Sequence, residues 1–172
     1  FILSLVPLAL TLVLWVNYDR VDAGFQYEQF APWFPLVGSN YHVALDGISL
    51  AMVLLTTILT PLAILASFNV EKEPKMFMAL FLLMESAMLG LFSSLDLLVF
   101  FVFWEFGLVP MYFLIKVWGG ADRNYASFKF IIYTMAGSLG LLLAIQIIGV
   151  SMGTFDIPKL YDVWVNYSGV TL

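Results

Sequence analysis

The chain has 172 residues, of which 62% are hydrophobic and 11% charged, whereas an ordinary soluble domain is about 25% charged. A water-soluble fold of this size cannot hide so much apolar surface, which leaves an integral membrane protein. The net charge of −5 gives no basis for a nucleic-acid partner, the lack of cysteine excludes thiolate chemistry, and a single His excludes a multi-His metal centre.

A helix needs about 20 apolar residues to cross the bilayer core, and five segments fit. The first covers residues 1–17, and an outer loop with two prolines and several aromatics follows over 18–46. The others are 47–68, 77–94, 97–118 and 125–150, joined by short links at 69–76, 94–96 and 119–124. Short links imply antiparallel neighbours, so the expected fold is all-α: one membrane domain over 1–172, built as a multi-helix bundle. Residue 1 is Phe, and neither a basic n-region nor a cleavage site marks a signal peptide. The chain is therefore expected to be a piece of a longer protein.

Lys72, Lys75, Lys116, Arg123 and Lys129 gather on the side of links 69–76 and 119–124. Arg20 and Lys159 fall on the other side, with Asp19, Asp22, Glu28, Asp46, Asp96, Asp156 and Asp162. The excess of basic residues places 69–76 and 119–124 on the cytoplasmic side, with 18–46 and 151–172 facing outward. Asp46 and Asp96 stand just before helical runs and fit N-caps, where a carboxylate accepts backbone N–H bonds. Ala136, Gly140 and Ala144 recur at the spacing of a close-packing helix seam. His42, in the outer loop, reads as an exposed, uninvolved residue, although the imidazole pKa allows switching.

The costly groups lie deeper. Glu105 stands in FFVFWEFGLVPMYF, about nine residues into the fourth helix, so about 14 Å along its axis and near mid-bilayer. A charge there costs at least ~2.5–3.5 kcal/mol. Glu105 is therefore either uncharged or paired with a cation, and a group poised between those states suits proton relay. The alternative is a protonated packing residue. Tyr112 shares its face, while Lys116 lies about 16 Å further along and is out of direct reach. Pro110 removes a backbone donor and opens the helix near Phe106, which suits a hydrated path or merely a bend. Glu85 lies at similar depth in the third helix, as a second relay station or a packing residue. Lys129 either reaches back to the interface or takes part in conduction.

HVALDGISL (42–50), LDLLVFFVFWEFGLVPMYFLIKVWGG (95–120) and SFKFIIYT (127–134) carry a resemblance to the antiporter-like subunit M family of respiratory complex I. The resemblance covers roughly residues 40–150. It implies a subunit of about fourteen helices with two inverted five-helix repeats, of which this chain holds the second to sixth. It implies proton translocation coupled to electron transfer from NADH to quinone, with Glu105 paired to a lysine of a later helix. Lys129 falls in the family's KF-x-x-YT motif, and Glu85 matches an acid present in many members. NAD, FMN, iron–sulfur clusters and quinone are expected in partner subunits and no cofactor in this chain. The partners implied are other membrane-arm subunits, the lipid bilayer and transported protons. The membrane expected is a bacterial plasma membrane, or a mitochondrial inner or thylakoid membrane. Two other readings stand beside it: a subunit of an Mrp-type cation/proton antiporter or membrane-bound hydrogenase, and a structural anchor without an ion path.

Overall fold

The computed structural model describes residues 1–21 and 24–168. Asp22, counted above among the outward acids, and residues 169–172 of the tail lie outside the described residues. Six helices run in chain order: α1 (Ile2–Asn17), α2 (Gly47–Ala66), α3 (Pro74–Ser93), α4 (Leu97–Trp118), α5 (Arg123–Met152) and α6 (Ile157–Ser168). Each of α1 to α5 packs on its neighbour in the chain, as short connections between long apolar helices require. Helices α2, α3, α4 and α5 are long and apolar enough to cross a membrane; α1, at 16 residues, is shorter. Large apolar side chains cover their outer surfaces. The architecture is an all-α membrane bundle, with one β element added.

That addition replaces the irregular outer loop. Strand β1 (Gln26–Phe34) pairs antiparallel with β2 (Ser39–Leu45) across a 3-10 turn at Pro35–Val37. Strand β1 is rich in aromatic residues and β2 carries Tyr41 and Val43, while Gly38 at φ 77° closes the turn without a Cβ penalty. The register slips between Gln26 and Gln29, where Tyr27 takes φ 56°. Such a bulge twists the edge strand and re-aims its side chains. The segment after α5 is also structured. From Asp156 onward it forms α6, with Ile157, Leu160, Tyr161 and Trp164 at helical apolar spacing.

Local chemistry sets the helix ends. Asp46 caps α2 by accepting from the Ser49 amide at 2.6 Å. Asp96 caps α4 by accepting from the Leu98 amide at 2.9 Å and the Val99 amide at 3.3 Å. Helix α3 begins three residues earlier than its apolar run because Pro74 suits the first helical position, where no N–H is needed. At the opposite end of the bundle, Trp118 donates its indole N–H to the Lys72 carbonyl at 2.7 Å, holding links 69–76 and 119–124 together.

The core lies under the hairpin, where Leu45, Leu50 and Val53 pack with Leu14, Tyr18, Leu89 and Phe92. Helices α3 and α4 approach closely because Gly90 has no side chain: a Cβ there would sit 2.3 Å from the Phe103 ring. Gly90→Val should therefore destabilise the protein by about 1–3 kcal/mol, as overpacking does. The yield and thermal stability of the assembled protein would measure this, and an unchanged melting temperature would contradict the packing described. The seam of small residues on α5 contributes nothing here. Ala136, Gly140 and Ala144 are exposed, and a Cβ at Gly140 would meet nothing within 4 Å.

Candidate functional site

Most buried polar side chains in the helices satisfy themselves locally. Thr56, Thr57 and Ser138 each donate to a carbonyl three or four residues back, the usual way a hydroxyl is carried in a membrane helix. Two carboxylates depart from this pattern. Glu85 on α3 is 3% exposed, and Glu105 on α4 is half-buried. One oxygen of each, Glu85 Oε1 and Glu105 Oε1, is buried with no hydrogen-bond partner among the described residues. Nor does either carboxylate join an ion pair there.

Their relative level follows from the α3–α4 contact. A Cβ at Gly107 would lie 3.6 Å from the Ala87 Cβ, so these positions face each other. Glu85 and Glu105 each precede that contact by two residues on antiparallel helices. They are thus offset by about 6 Å, roughly one helical turn. Since residue i−2 on a helix points away from residue i, neither carboxylate is directed at this contact.

Glu105, Tyr112 and Lys116 form one stripe on α4, at spacings of seven and four residues. The stripe faces α5, because Tyr112 meets Phe128 edge-on at 6.4 Å and Lys116 Nζ stands 5.8 Å over the same ring. Lys116 donates to the Tyr112 hydroxyl at 2.9 Å. Tyr112 is therefore engaged toward the basic end of the bundle, away from Glu105. About 10 Å further in, Glu105 stands level with the stretch of α5 around Met135. Pro110 is fully buried within α4, which stays helical from Leu97 to Trp118; the proline removes the amide that would bond the Phe106 carbonyl, one residue beyond Glu105. Lys129 sits apart, exposed on α5 between the rings of Tyr125 and Tyr133 at 5.5 and 5.9 Å.

The hairpin end holds a second polar cluster that the sequence reading overlooked. His42 is 5% exposed, not surface-exposed as expected. Its Nδ1 lies 2.7 Å from Asp156 Oδ2 and its Nε2 2.7 Å from Glu28 Oε1. Asp96 is fully buried and does more than cap α4: it accepts from Ser39 Oγ at 2.9 Å and from the Asn40 amide at 3.0 Å. Backbone bonds draw the segments together, with Leu95 N–H donating to the His42 carbonyl, Leu97 N–H to Phe155 and Ile157 N–H to Leu95. The turn between α3 and α4 is thus threaded between β2 and the start of α6. The available signal was an aromatic-rich run before Pro35–Gly38 and the strand-like NYHVAL after it, which bring His42 beside Glu28 once they pair. No group of His, Asp and Glu side chains among the described residues has metal-binding geometry.

Comparisons with known proteins place this geometry. The family model "NADH-ubiquinone oxidoreductase chain 4, amino terminus" matches residues 24–95, and "NADH:quinone oxidoreductase/Mrp antiporter, TM" matches 94–172. The NAD(P)H-quinone oxidoreductase chain 4 2 of Thermosynechococcus vestitus is 45% identical over 77% of this chain and 25% of its own length. The F(420)H(2) dehydrogenase subunit M of Methanosarcina mazei is 41% identical over 93% of this chain and 34% of its own. Among solved structures, a chain of respiratory complex I from Thermus thermophilus superposes with a TM-score of 0.81 and 33% identity, over 91% of this chain and 32% of that one. The chain thus spans about a quarter to a third of the length of these relatives. On two adjoining family models, these identities and the shared helix bundle, the chain belongs to the antiporter-like membrane subunits represented by chain 4, or subunit M, of NADH-quinone oxidoreductases.

Proposed function

We propose that this chain forms part of a proton-translocating membrane subunit of a quinone-linked oxidoreductase, with Glu105 as its in-membrane proton carrier. The observation that carries the reading is the buried, unpartnered oxygen of Glu105 on the α4 face turned to α5. An unsatisfied carboxylate at this depth is costly and needs a reason. Relay supplies one, since the free oxygen is where a proton, or a cation from another helix, is received. The lysine implied by the family resemblance is the natural counter-charge. Tyr112 and Lys116 extend the stripe toward the basic end, and Glu85, one turn away, adds a second proton-holding group. Each proton moved against 150 mV costs about 3.5 kcal/mol, a scale that making and breaking one buried ion pair can match.

No redox chemistry is assigned to this chain: nicotinamide, flavin, iron–sulfur and quinone sites belong to partner subunits of the membrane-embedded complex. The test is proton translocation by the assembled complex carrying Glu105→Gln beside Glu105→Asp; normal pumping in the Gln form would overturn the proposal. A smaller effect is expected from Tyr112→Phe, which removes the acceptor of the bond from the charged Lys116 ammonium, worth ~1.5–3 kcal/mol. Translocation should fall about tenfold with the complex fully assembled, measured as proton release per donor oxidised. An unaltered ratio would remove Tyr112 from the path.

A further inference from the structure

The His42 cluster joins three pieces of chain that are remote in sequence. Glu28 comes from β1, His42 from β2 and Asp156 from the start of α6. Both ring nitrogens face carboxylate oxygens at 2.7 Å. A neutral imidazole has one N–H donor and one lone pair, whereas the imidazolium has two donors. With neutral His42, one of these contacts would set a lone pair against a carboxylate oxygen. Two short contacts to two carboxylates are therefore satisfied together only when the triad holds one further proton.

The surroundings let that proton exchange with solvent while keeping its effect local. The side chain of Glu28 is 55% exposed, that of His42 7% and that of Asp156 2%, so the triad runs from solvent into the fold. Phe30 covers the imidazole edge-on at 5.4 Å, and Lys159 Nζ stands 5.7 Å over the Phe30 ring. Asp96, the remaining charged group nearby, is occupied by Ser39, Asn40 and the first amides of α4. Asp156 also divides its work: one oxygen accepts from the Lys159 amide at 3.1 Å to cap α6, and the other holds His42.

We propose that Glu28, His42 and Asp156 form a proton-operated clasp that fastens the hairpin to α6 when His42 is protonated and releases it as pH rises in the compartment the hairpin faces. The proton is the ligand, and the hairpin–α6 junction is the element it moves. The clasp reads the pH of the space into which the hairpin projects, independently of Glu105 within the membrane.

The test is hydrogen–deuterium exchange on the assembled complex, corrected for intrinsic exchange chemistry, from about pH 5 to pH 9, which includes the span of about pH 5–8 in which an unperturbed imidazole changes charge. In the wild-type protein, protection of β1 amides and of the first turn of α6 should fall together by about tenfold or more across a single transition. In His42→Gln, which keeps hydrogen-bonding capacity but cannot become a cation, protection should lack that transition. Glu28→Gln alters an exposed side chain and keeps the fold. It should abolish the transition in β1 and leave one at α6, where Asp156 still holds His42. A flat wild-type profile, a transition that persists in His42→Gln, or one unchanged in β1 of Glu28→Gln would overturn the proposal.

Discussion

Glu105→Gln should lower proton translocation by the assembled complex by roughly a hundredfold or more, the low end of what losing a proton-transferring side chain costs. Glutamine matches the size of glutamate and can still hydrogen-bond, so α4 should pack as before. What it cannot do is take up or release a proton, or provide a negative charge for a cation from another helix. Glu105→Asp keeps the charge but draws it back by one methylene along the stripe that leads to Tyr112 and Lys116, so a fraction of the activity should remain. The decisive comparison is the ratio of protons moved to donor oxidised, read beside the amount of assembled complex. Retained assembly with a collapsed ratio fits a relay. Loss of assembly in both variants would make Glu105 a packing residue, and full function in Glu105→Leu would make the chain an anchor.

Asp96→Ala should be the most damaging substitution at the hairpin end. Its carboxylate is fully buried and accepts from Ser39 Oγ and from the amides of Asn40, Leu98 and Val99. Removing an N-cap costs about 1 kcal/mol. Leaving the buried Ser39 hydroxyl and the part-buried Asn40 amide unsatisfied adds about 1–3 kcal/mol each. The sum, about 3–7 kcal/mol, is comparable to the whole stability margin of many domains. Asp96→Asn, which can still accept through one oxygen, should be milder. Thermal unfolding and assembly yield, compared with Asp46→Ala as a cap of narrower reach, would measure the difference. Equal losses in the two Ala variants would show that the bonds to β2 contribute little.

The helices were readable because lipid imposes a length and a composition on them. The α4 segment, 97–118, lies between an aspartate cap and the Gly119–Gly120 pair, features that act on the backbone locally and so show in sequence. The hairpin was not readable in the same way. Its strands carry Pro32 and an irregular register, so polar and apolar residues do not alternate cleanly along 26–34. The amphipathic spacing of Ile157, Leu160, Tyr161 and Trp164 was present, but twelve residues are too short for the membrane criterion that organised the rest. His42 was misread for a related reason. Its partners lie 14 and 114 residues away, and no local pattern encodes a contact between elements not yet assigned. At Glu105 the position along α4 was legible; that Tyr112 is tied to Lys116 depends on side-chain reach, which spacing alone does not decide.

The distance in sequence between His42 and Asp156 has a consequence for biogenesis. Chain emerges at about 5–20 residues per second, and 114 residues separate the two side chains. The hairpin therefore waits about 6–23 s after its own synthesis before its second carboxylate exists. Throughout that interval α2 to α5 are being made and inserted, while β2 has only β1 and, later, the turn ahead of α4 to bind. The hairpin end of this bundle is thus closed by a residue synthesised after every long membrane helix described here.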